Sequence, residues 1–281
     1  MPEAAPGAAV TRRLALGVAY RGVAYQGWQS QPGGRTVQDR LEDALGQFVG
    51  SPLITMCAGR TDAGVHALNQ VVHLDAPVER EPFSWVRGTN RYLPPDIAVQ
   101  WCRPVAADFH ARNMASGRRY AYIVLESPVR PALEVGLVGW SFRTLDGDAM
   151  RMAAAHLIGE HDFSAFRSSE CQSPTPVKTL RAIAISRCGC YWRFDFDGNA
   201  FLHHMVRNVM GCLVAVGQGL HAPGWVAEVL AARDRDAAAP TFAPDGLYFA
   251  GPYYDAAHGI PERTPAFDWL PHTHQDLRSD T

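Results

Sequence analysis

The order of predicted strands and helices constrains this chain of 281 residues most, because nearly the same order occurs twice. In the first half, apolar residues alternate at 14–20 as they do in a strand. A Gly-rich turn then leads to a helix that opens at Thr36, and Asp39 has the spacing of a capping box. Two strands follow at 54–58 and 70–74, so the first half reads β-α-β-β.

The second half repeats this order and adds two helices. Its predicted elements are a strand at 120–125, a helix at 146–158, paired strands at 180–186 and 191–197, a long helix at 201–216 and a short helix at 225–232. Two α+β halves of related order indicate an internal pseudo-duplication. Such halves often join their sheets and leave a cleft between them.

The predicted domain organisation follows from this repeat. Residues 1–10 are rich in Pro, Ala and Gly and are expected to be a disordered extension. The N-terminal half covers 11–115, the C-terminal half covers 116–257, and a tail containing Pro and His covers 258–281.

The composition excludes several classes of protein. Hydrophobic residues make up 47% of the chain and charged residues 19%. A chain with this balance is neither disordered nor collagen-like, and at this length it needs no disulfide or metal staples. The chain has no apolar stretch that approaches the roughly 18 residues of a membrane span.

Arg12 and Arg13 precede an apolar run too short for an export signal, so the six cysteines are expected to be reduced in the cytoplasm. The net charge of −2 does not by itself indicate a nucleic-acid partner.

The loop at 59–66 is the first candidate for chemistry. Asp62 opens a tight turn in which Gly64 can supply the positive φ of a type II turn. The structural alternative is a simple Asx-turn between two strands. Two observations favour a catalytic role for Asp62. Arg60 adds a second charge to a loop that has little other reason to be charged. Loop carboxylates on rigid strand pairs are also often catalytic. Gly64 argues against a helix that would pair Asp62 with His66 around a metal.

A second candidate segment is basic and aromatic. Residues 101–121 contain four arginines and one aspartate, interleaved with aromatic side chains. This pattern suits a surface that clamps an RNA backbone and stacks on bases. The alternative is a solvated loop that leads into a strand with Tyr120 and Tyr122 in the core. These observations alone do not decide between the two.

The third segment lies in the predicted helix at 201–216. Its apolar face is typical of a core helix, and Arg207 lies nearly opposite Val209 on the helical wheel. Arg207 is therefore either a surface residue or the partner of a carboxylate in the cleft. His203 and His204 are expected to project in different directions and not to chelate a metal. No phosphate-cradling loop or dinucleotide fingerprint occurs, so no nucleotide cofactor is implied.

Several motifs together resemble the tRNA pseudouridine synthase A family over residues 14–255. These motifs are, in the family's order, YQGWQ at 25–29, GRTDAGVH at 59–66, LPPDI at 93–97, FHAR at 109–112, FLHHMVRN at 201–208 and GLY at 246–248. The resemblance implies the pseudouridine synthase fold, in which two related α/β halves join a mostly antiparallel sheet with a central catalytic cleft. It also implies a homodimer.

The resemblance implies an isomerase that converts uridine to pseudouridine at positions 38, 39 and 40 in the anticodon stem-loop of tRNA, without cofactor or metal. Asp62 would be the nucleophile that attacks the uracil ring or the ribose C1′. Tyr120 would stack on the base, and Arg207 would pair with Asp62. Arg60 and Arg80 would help flip the base out of the stem. The remaining implied contacts are Leu247 in the pocket, and the RNA-binding loops Phe109, His110, Ala111, Arg112, Asn113 and Glu170, Cys171, Gln172, Ser173, Pro174.

Two rival functions stand beside this one. A catalytically silent RNA-binding protein would share the scaffold, but it would not need Asp62, Tyr120 and Arg207 together. A metal-dependent hydrolase would use Asp62, His66 and His73, and it would require stoichiometric metal. The isomerase is expected to be indifferent to chelators.

Overall fold

The computed structural model describes residues 12–262, which form one large sheet with helices packed against it. The ten strands of this range are β1 (Arg12–Tyr20), β2 (Met56–Cys57), β3 (His66–Ala76), β4 (Ile97–Pro104), β5 (Gly117–Glu126), β6 (Gly139–Ser141), β7 (Gly159–Asp162), β8 (Val177–Cys188), β9 (Tyr191–Gly198) and β10 (Leu247–Tyr253). Its α-helices are α1 (Val37–Val49), α2 (Pro82–Asn90), α3 (Gly147–Ala155), α4 (Met205–Gly217) and α5 (Trp225–Ala232).

The sheet joins the two halves of the chain. Its strand order is β4-β1-β3-β10-β5-β9-β8-β7, with β2 added to β3 and β6 added to β5. The late strand β10 lies between the halves, parallel to β3 and antiparallel to β5. Among the described strands only β3–β10 and β5–β6 are parallel pairs. The predicted fold class, α+β with a mostly antiparallel shared sheet, is therefore confirmed. The division at 115/116 stays a prediction, because one sheet runs through both halves.

Local sequence signals explain the start and end of α1. Thr36 accepts a hydrogen bond from the backbone N–H of Asp39, and the Asp39 carboxylate accepts one from the backbone of Thr36. This is the predicted capping box. The helix ends at Gly50, whose φ of 85° lies in the left-handed region. Glycine adopts that conformation at no steric cost, which explains the stop. Leu41 and Leu45 are fully buried, so the apolar face of this helix packs on the sheet.

Each half of the sheet carries its own hydrophobic cluster on the helical side. In the N-terminal half, Leu16 of β1 packs with α1 and with Trp85 of α2. In the C-terminal half, α3, α4 and α5 pack on β5, β8 and β9. Val65, from the loop before β3, belongs to the C-terminal cluster although it lies in the N-terminal half. The loop at 59–66 is therefore anchored to both halves.

The long helix predicted from Phe201 begins four residues later than expected, at Met205. His204 has a φ of 62°, a left-handed conformation that cannot be part of an α-helix. Every residue of α4 except Arg207 is buried. This helix is therefore apolar nearly all round and lies inside the C-terminal half.

Other boundaries differ in smaller ways. The strand predicted at 54–58 contains only two residues, because Ile54 is 80% exposed and lies outside the sheet. The helix predicted at 146–158 is α3, with Asp146 as its N-cap. The paired strands β8 and β9, and helix α5, are confirmed. No prediction anticipated α2, β4, β6, β7 or β10.

The predicted extension at 1–10 and most of the tail at 258–281 lie outside the described residues. Within 12–262, no helix is both long enough and apolar enough to span a membrane.

Candidate active site

The loop that carries Asp62 is a tight turn fixed by its neighbours. The backbone N–H of Val65 donates to the carbonyl of Asp62 over 3.1 Å, and Gly64 has the expected positive φ of 82°. A Cβ at Gly64 would lie 2.9 Å from the Cγ atom of Pro244, so both the backbone and the space require glycine there. The hydroxyl groups of Tyr20 and Thr61 lie 2.7 Å apart and hold the start of the turn. The position of Asp62 is therefore set by the fold.

The Asp62 side chain faces the first turn of α4. Nη1 of Arg207 donates to Oδ2 of Asp62 over 3.2 Å, and its Nε donates to the carbonyl of Phe242 over 3.0 Å. The side chains of Asp62 and Arg207 are only 20% and 14% exposed. The ion pair implied by the resemblance is thus present, and it bridges the two halves of the chain.

Two histidines complete the surroundings of the carboxylate. Nε2 of His203 lies 3.4 Å from Oδ1 of Asp62, and Nε2 of His204 lies 3.4 Å from Oδ2. The expectation that these rings project in different directions is wrong. The left-handed backbone of His204 departs from helical geometry, and the two ring centroids lie 4.0 Å apart.

Opposing effects set the protonation of this cluster. Burial alone raises the pKa of Asp62, but the contacts with His203, His204 and Arg207 outweigh it and hold that pKa below its ordinary value. Contact with Asp62 raises the pKa of His203, whereas burial lowers the pKa of His204. The carboxylate is therefore ionised at neutral pH, and Arg207 is its permanently charged partner.

Tyr120 lies on β5, at the border between the two hydrophobic clusters. Its ring centroid lies 5.1 Å from those of Phe201 and Phe249. Burial first, and then the negative charge of Asp62, raise the pKa of Tyr120, so its phenol is neutral at physiological pH. The structure thus brings Asp62, Tyr120 and Arg207 into one site.

The two arginines assigned to base flipping lie far apart. Arg60 follows Gly59 in the loop at 59–66 and is exposed, with no hydrogen bond or ion pair within residues 12–262. Arg80 follows the other end of β3, a strand roughly 33 Å long at about 3.3 Å per residue. Its guanidinium stacks 4.4 Å above the ring of Phe48. The structure therefore places Arg60, but not Arg80, beside Asp62.

In the predicted RNA-binding loop at 109–113, the exposure differs between residues. The side chains of Phe109 and Ala111 are fully buried and anchor the loop, which does not favour the predicted RNA contact by these two side chains. His110 is half-buried, and Arg112 and Asn113 are exposed. His110, Arg112 and Asn113 are the accessible side chains of the loop, and their contact with RNA stays a prediction.

The second predicted loop, at 170–174, packs against the His203 segment. The carbonyl of His203 accepts from the N–H of Ser168 over 3.0 Å, and its own N–H donates to Sγ of Cys171 over 3.4 Å. Arg167 donates to the carbonyls of Cys171 and Ser173 and shapes this loop. The side chains of Glu170, Gln172 and Pro174 are exposed, whereas those of Cys171 and Ser173 are half-buried.

Leu247 is a buried residue at the start of β10. It lies opposite Tyr122 of β5, and its N–H donates to the carbonyl of Pro244 over 3.0 Å. Pro244 in turn lies against Gly64 of the turn that carries Asp62. Leu247 therefore lies beneath the turn, within the C-terminal cluster.

The histidines of the rival metal hydrolase do not face Asp62. Nδ1 of His66 accepts from the N–H of Gly22 over 3.0 Å, and its Nε2 lies 2.8 Å from the carbonyl of Gly136. Nδ1 of His73 accepts from the N–H of Ala111 over 3.1 Å. The proposed trio of Asp62, His66 and His73 is therefore wrong, because both rings are used elsewhere.

Comparison with known proteins points to one family. Residues 153–255 match a family model described as tRNA pseudouridine synthase. Proteins named tRNA pseudouridine synthase A are 76% identical in Methylibium petroleiphilum, 65% in Paracidovorax citrulli and 66% in Polaromonas naphthalenivorans. Each comparison covers 92% of this chain and 100% of the relative. A solved Cbf5-Nop10-Gar1 complex aligns over 72% of this chain and 45% of that one, at 11% identity and a TM-score of 0.34. That likeness is too weak to bear on fold or function.

Proposed function

The chain belongs to the tRNA pseudouridine synthase A family, and we propose that it isomerises uridine to pseudouridine in tRNA, at positions 38, 39 and 40 of the anticodon stem-loop. The observation that carries this proposal is the ionised carboxylate of Asp62, held by Arg207 where the two halves of the chain meet. A protein that only bound RNA would not need a nucleophile in this place.

The reaction balances without a cofactor. The glycosidic bond between N1 and C1′ breaks, and a new bond forms between C5 and C1′. C5 loses its proton and N1 gains one, so substrate and product are isomers and no electrons are exchanged. The protein must therefore supply a nucleophile, a route for the proton and a pocket that holds the detached base.

Asp62 supplies the nucleophile in this proposal. Its carboxylate attacks either the uracil ring or the ribose C1′, and the bond it forms breaks again before product release. Arg207 binds Oδ2 and fixes the orientation of the carboxylate. Because Asp62 is ionised before the substrate arrives, no proton has to be removed from it first.

Tyr120 supplies the stacking surface. A flipped base loses its neighbours in the stem, and an aromatic ring offsets part of that loss. The neutral phenol of Tyr120 takes up the C5 proton only if it passes its own proton on at the same time. Stacking and proton transfer are therefore separable roles, and substitutions at Tyr120 can distinguish them.

RNA binding relies on local positive charge, because the net charge of the chain is −2. Arg60 lies exposed beside the nucleophile and is assigned to the displaced strand during base flipping. Arg112 and Asn113 on one loop, and Gln172 on the other, are assigned to the RNA backbone. We further propose a cytoplasmic homodimer, in which one tRNA contacts both subunits.

Release of tritium from C5-labelled uridine in unmodified tRNA tests this function directly, because the C5 proton is lost in the reaction. Wild-type protein is expected to release tritium in the presence of a chelator, and the Asp62→Asn variant is not. Product mapping then identifies the modified positions. Tight tRNA binding by both proteins, without release by either, would instead identify a silent RNA-binding protein.

A further inference from the structure

Three metal-ligating groups converge where the isomerase reaction uses only one. The carboxylate of Asp62 and the imidazoles of His203 and His204 place one ligand atom each within 4.8 Å of one another. Neither histidine carries out a step of the proposed reaction; both help Arg207 to keep Asp62 ionised, which a single cationic partner already does. Their convergence therefore calls for a separate explanation.

Both histidines lie farther from the carboxylate than a direct hydrogen bond requires, at a distance that ligands of one metal ion also keep from each other. Both Nε2 atoms lie 3.4 Å from a carboxylate oxygen. That separation is longer than an ordinary hydrogen bond of about 2.7–3.2 Å. Ligands bonded to zinc at about 2.0–2.1 Å and tetrahedral angles lie about 3.3–3.4 Å apart. The two histidines contact different oxygens of the Asp62 carboxylate, and one ligand atom from each residue lies within 4.8 Å of the others, so a small cation would draw the three groups slightly closer together.

The backbone fixes this arrangement. His204 keeps a left-handed conformation that costs free energy in a residue other than glycine. His203 is held on both sides, because Ser168 donates to its carbonyl and Cys171 accepts from its N–H. Both rings are thus positioned before any ion arrives.

We propose that Asp62, His203 and His204 form a binding site for a first-row transition cation of the Zn²⁺ class, and that this cation inhibits the isomerase. Imidazole nitrogen and carboxylate oxygen are ligands that suit Zn²⁺ and Co²⁺. The bound cation withdraws the lone pairs with which Asp62 attacks the substrate. The inhibition rests on the proposed function, whereas the binding does not.

The surroundings complete the site and limit its affinity. A cavity of 490 Å³ borders His204. The side chains of His203, His204 and Asp62 are themselves partly exposed, so water can fill the remaining coordination positions. The guanidinium of Arg207, on Oδ2 of Asp62, repels the cation. Binding is therefore expected to be weaker than at a structural zinc site, and readily reversed by a chelator.

Titration of the metal-free full-length protein with Co²⁺, under reducing conditions, tests the binding. One Co²⁺ per chain is expected to give the visible absorption of a four-coordinate site, and Zn²⁺ is expected to displace it. His203→Asn and His204→Asn should each abolish the band. Asparagine tolerates the left-handed backbone, so His204→Asn removes the ligand and keeps the fold.

Control variants separate this site from other metal-binding groups. His156→Asn removes an exposed histidine, and Cys190→Ser removes an exposed thiol. The double variant His272→Asn, His274→Asn removes two histidines that lie outside the described residues. All three proteins are expected to keep the cobalt band. Loss of the band in these controls, with retention in His203→Asn and His204→Asn, would overturn the proposal.

The tritium-release assay tests the inhibition. Free Zn²⁺ at about ten times its dissociation constant is expected to lower the wild-type rate about tenfold, by simple mass action. Chelator should restore the rate, and Mg²⁺, which prefers oxygen ligands, should leave it unchanged. Undiminished activity while Zn²⁺ saturates the site overturns the inhibition. If the wild type releases no tritium without metal, the proposed function fails, and the cobalt titration still decides the binding.

Discussion

Asp62 and Arg207 are 145 residues apart in the chain, yet Nη1 of Arg207 lies 3.2 Å from Oδ2 of Asp62. Asp62 belongs to the N-terminal half, and Arg207 lies in the first turn of the buried helix of the C-terminal half. The site therefore exists only when both halves are folded against each other. The shared strand β10 and the anchoring of Val65 in the C-terminal cluster hold this relationship in place.

Asp62→Asn should lower the single-turnover rate by at least about 10³-fold, since it removes the proposed nucleophile. The amide occupies nearly the same volume as the carboxylate, so tRNA affinity should stay within a few-fold of wild type. Rates come from tritium release and affinities from filter binding. Asp75→Asn, at an exposed ion pair with Arg13, is a matched control. Unchanged turnover in Asp62→Asn would remove Asp62 from the mechanism.

Arg207→Gln should slow the same step by about 10²-fold, which is a loss of about 3 kcal/mol in transition-state stabilisation. Without Arg207, only His203 and His204 would remain to orient and stabilise the Asp62 carboxylate. Arg207→Lys should recover part of the rate, because an ammonium keeps the charge but cannot bind Asp62 and the Phe242 carbonyl in one fork. Arg12→Gln, at an exposed ion pair, should have no effect. A wild-type rate in Arg207→Gln contradicts the positioning role.

Tyr120→Phe should retain tRNA affinity, because the ring and its contacts with Phe201 and Phe249 remain. If the hydroxyl passes the proton from C5, tritium release should slow by about 10²-fold. Tyr120→Ala should lose both affinity and rate. Tyr253→Phe removes a hydroxyl bonded to Asp197 and serves as the control. Wild-type release by Tyr120→Phe would leave Tyr120 with stacking alone.

Arg60→Ala should slow a flipping-dependent step by about tenfold, because Arg60 is exposed beside the nucleophile. Arg80→Ala is the matched comparison, since Arg80 is also exposed but stacks on Phe48 at the far end of β3. Its single-turnover rate should stay close to wild type. Equal slowing by both substitutions would restore Arg80 to the flipping machinery and argue that the RNA spans the whole strand.

Local signals made part of this structure predictable. The alternation in β1, the capping box of α1 and the Gly64 turn each depend on a few neighbouring residues. The strand β10 was missed because its pairing joins residues more than a hundred positions apart, and no local pattern encodes that contact.

The candidate site was predictable in the same uneven way. Asp62 stands out because of its turn, but its pairing with Arg207 came only from the resemblance to a family. The convergence of His203 and His204 depends on the left-handed backbone of His204. The helical pattern of the following segment predicted a helix through this residue, so no local signal indicated that conformation. The burial of Phe109 likewise depends on its contacts with Tyr254 and His258, far along the chain.

His66 should make the fold sensitive to acid. Its Nδ1 accepts from Gly22 and its Nε2 faces the carbonyl of Gly136, so the neutral ring satisfies both partners. A second proton on the ring would sit on Nδ1 and face the N–H of Gly22, where one donor would meet another. Burial accordingly lowers the pKa of His66 from 6.5 to about 4. Between these values the unfolded chain binds more protons than the folded one, so stability is complete above pH 6.5 and falls as the pH drops toward 4.

Urea unfolding between pH 7.5 and 4 measures this loss. The lowered pKa of His66 corresponds to about 3 kcal/mol at the acid end of the window. His66→Gln should be less stable at neutral pH, because the ring that stacks on Tyr248 is lost, but its stability should decline less steeply in acid. His156→Asn, at an exposed position, should follow the wild-type curve. Parallel curves for wild type and His66→Gln would show that His66 does not carry the acid sensitivity.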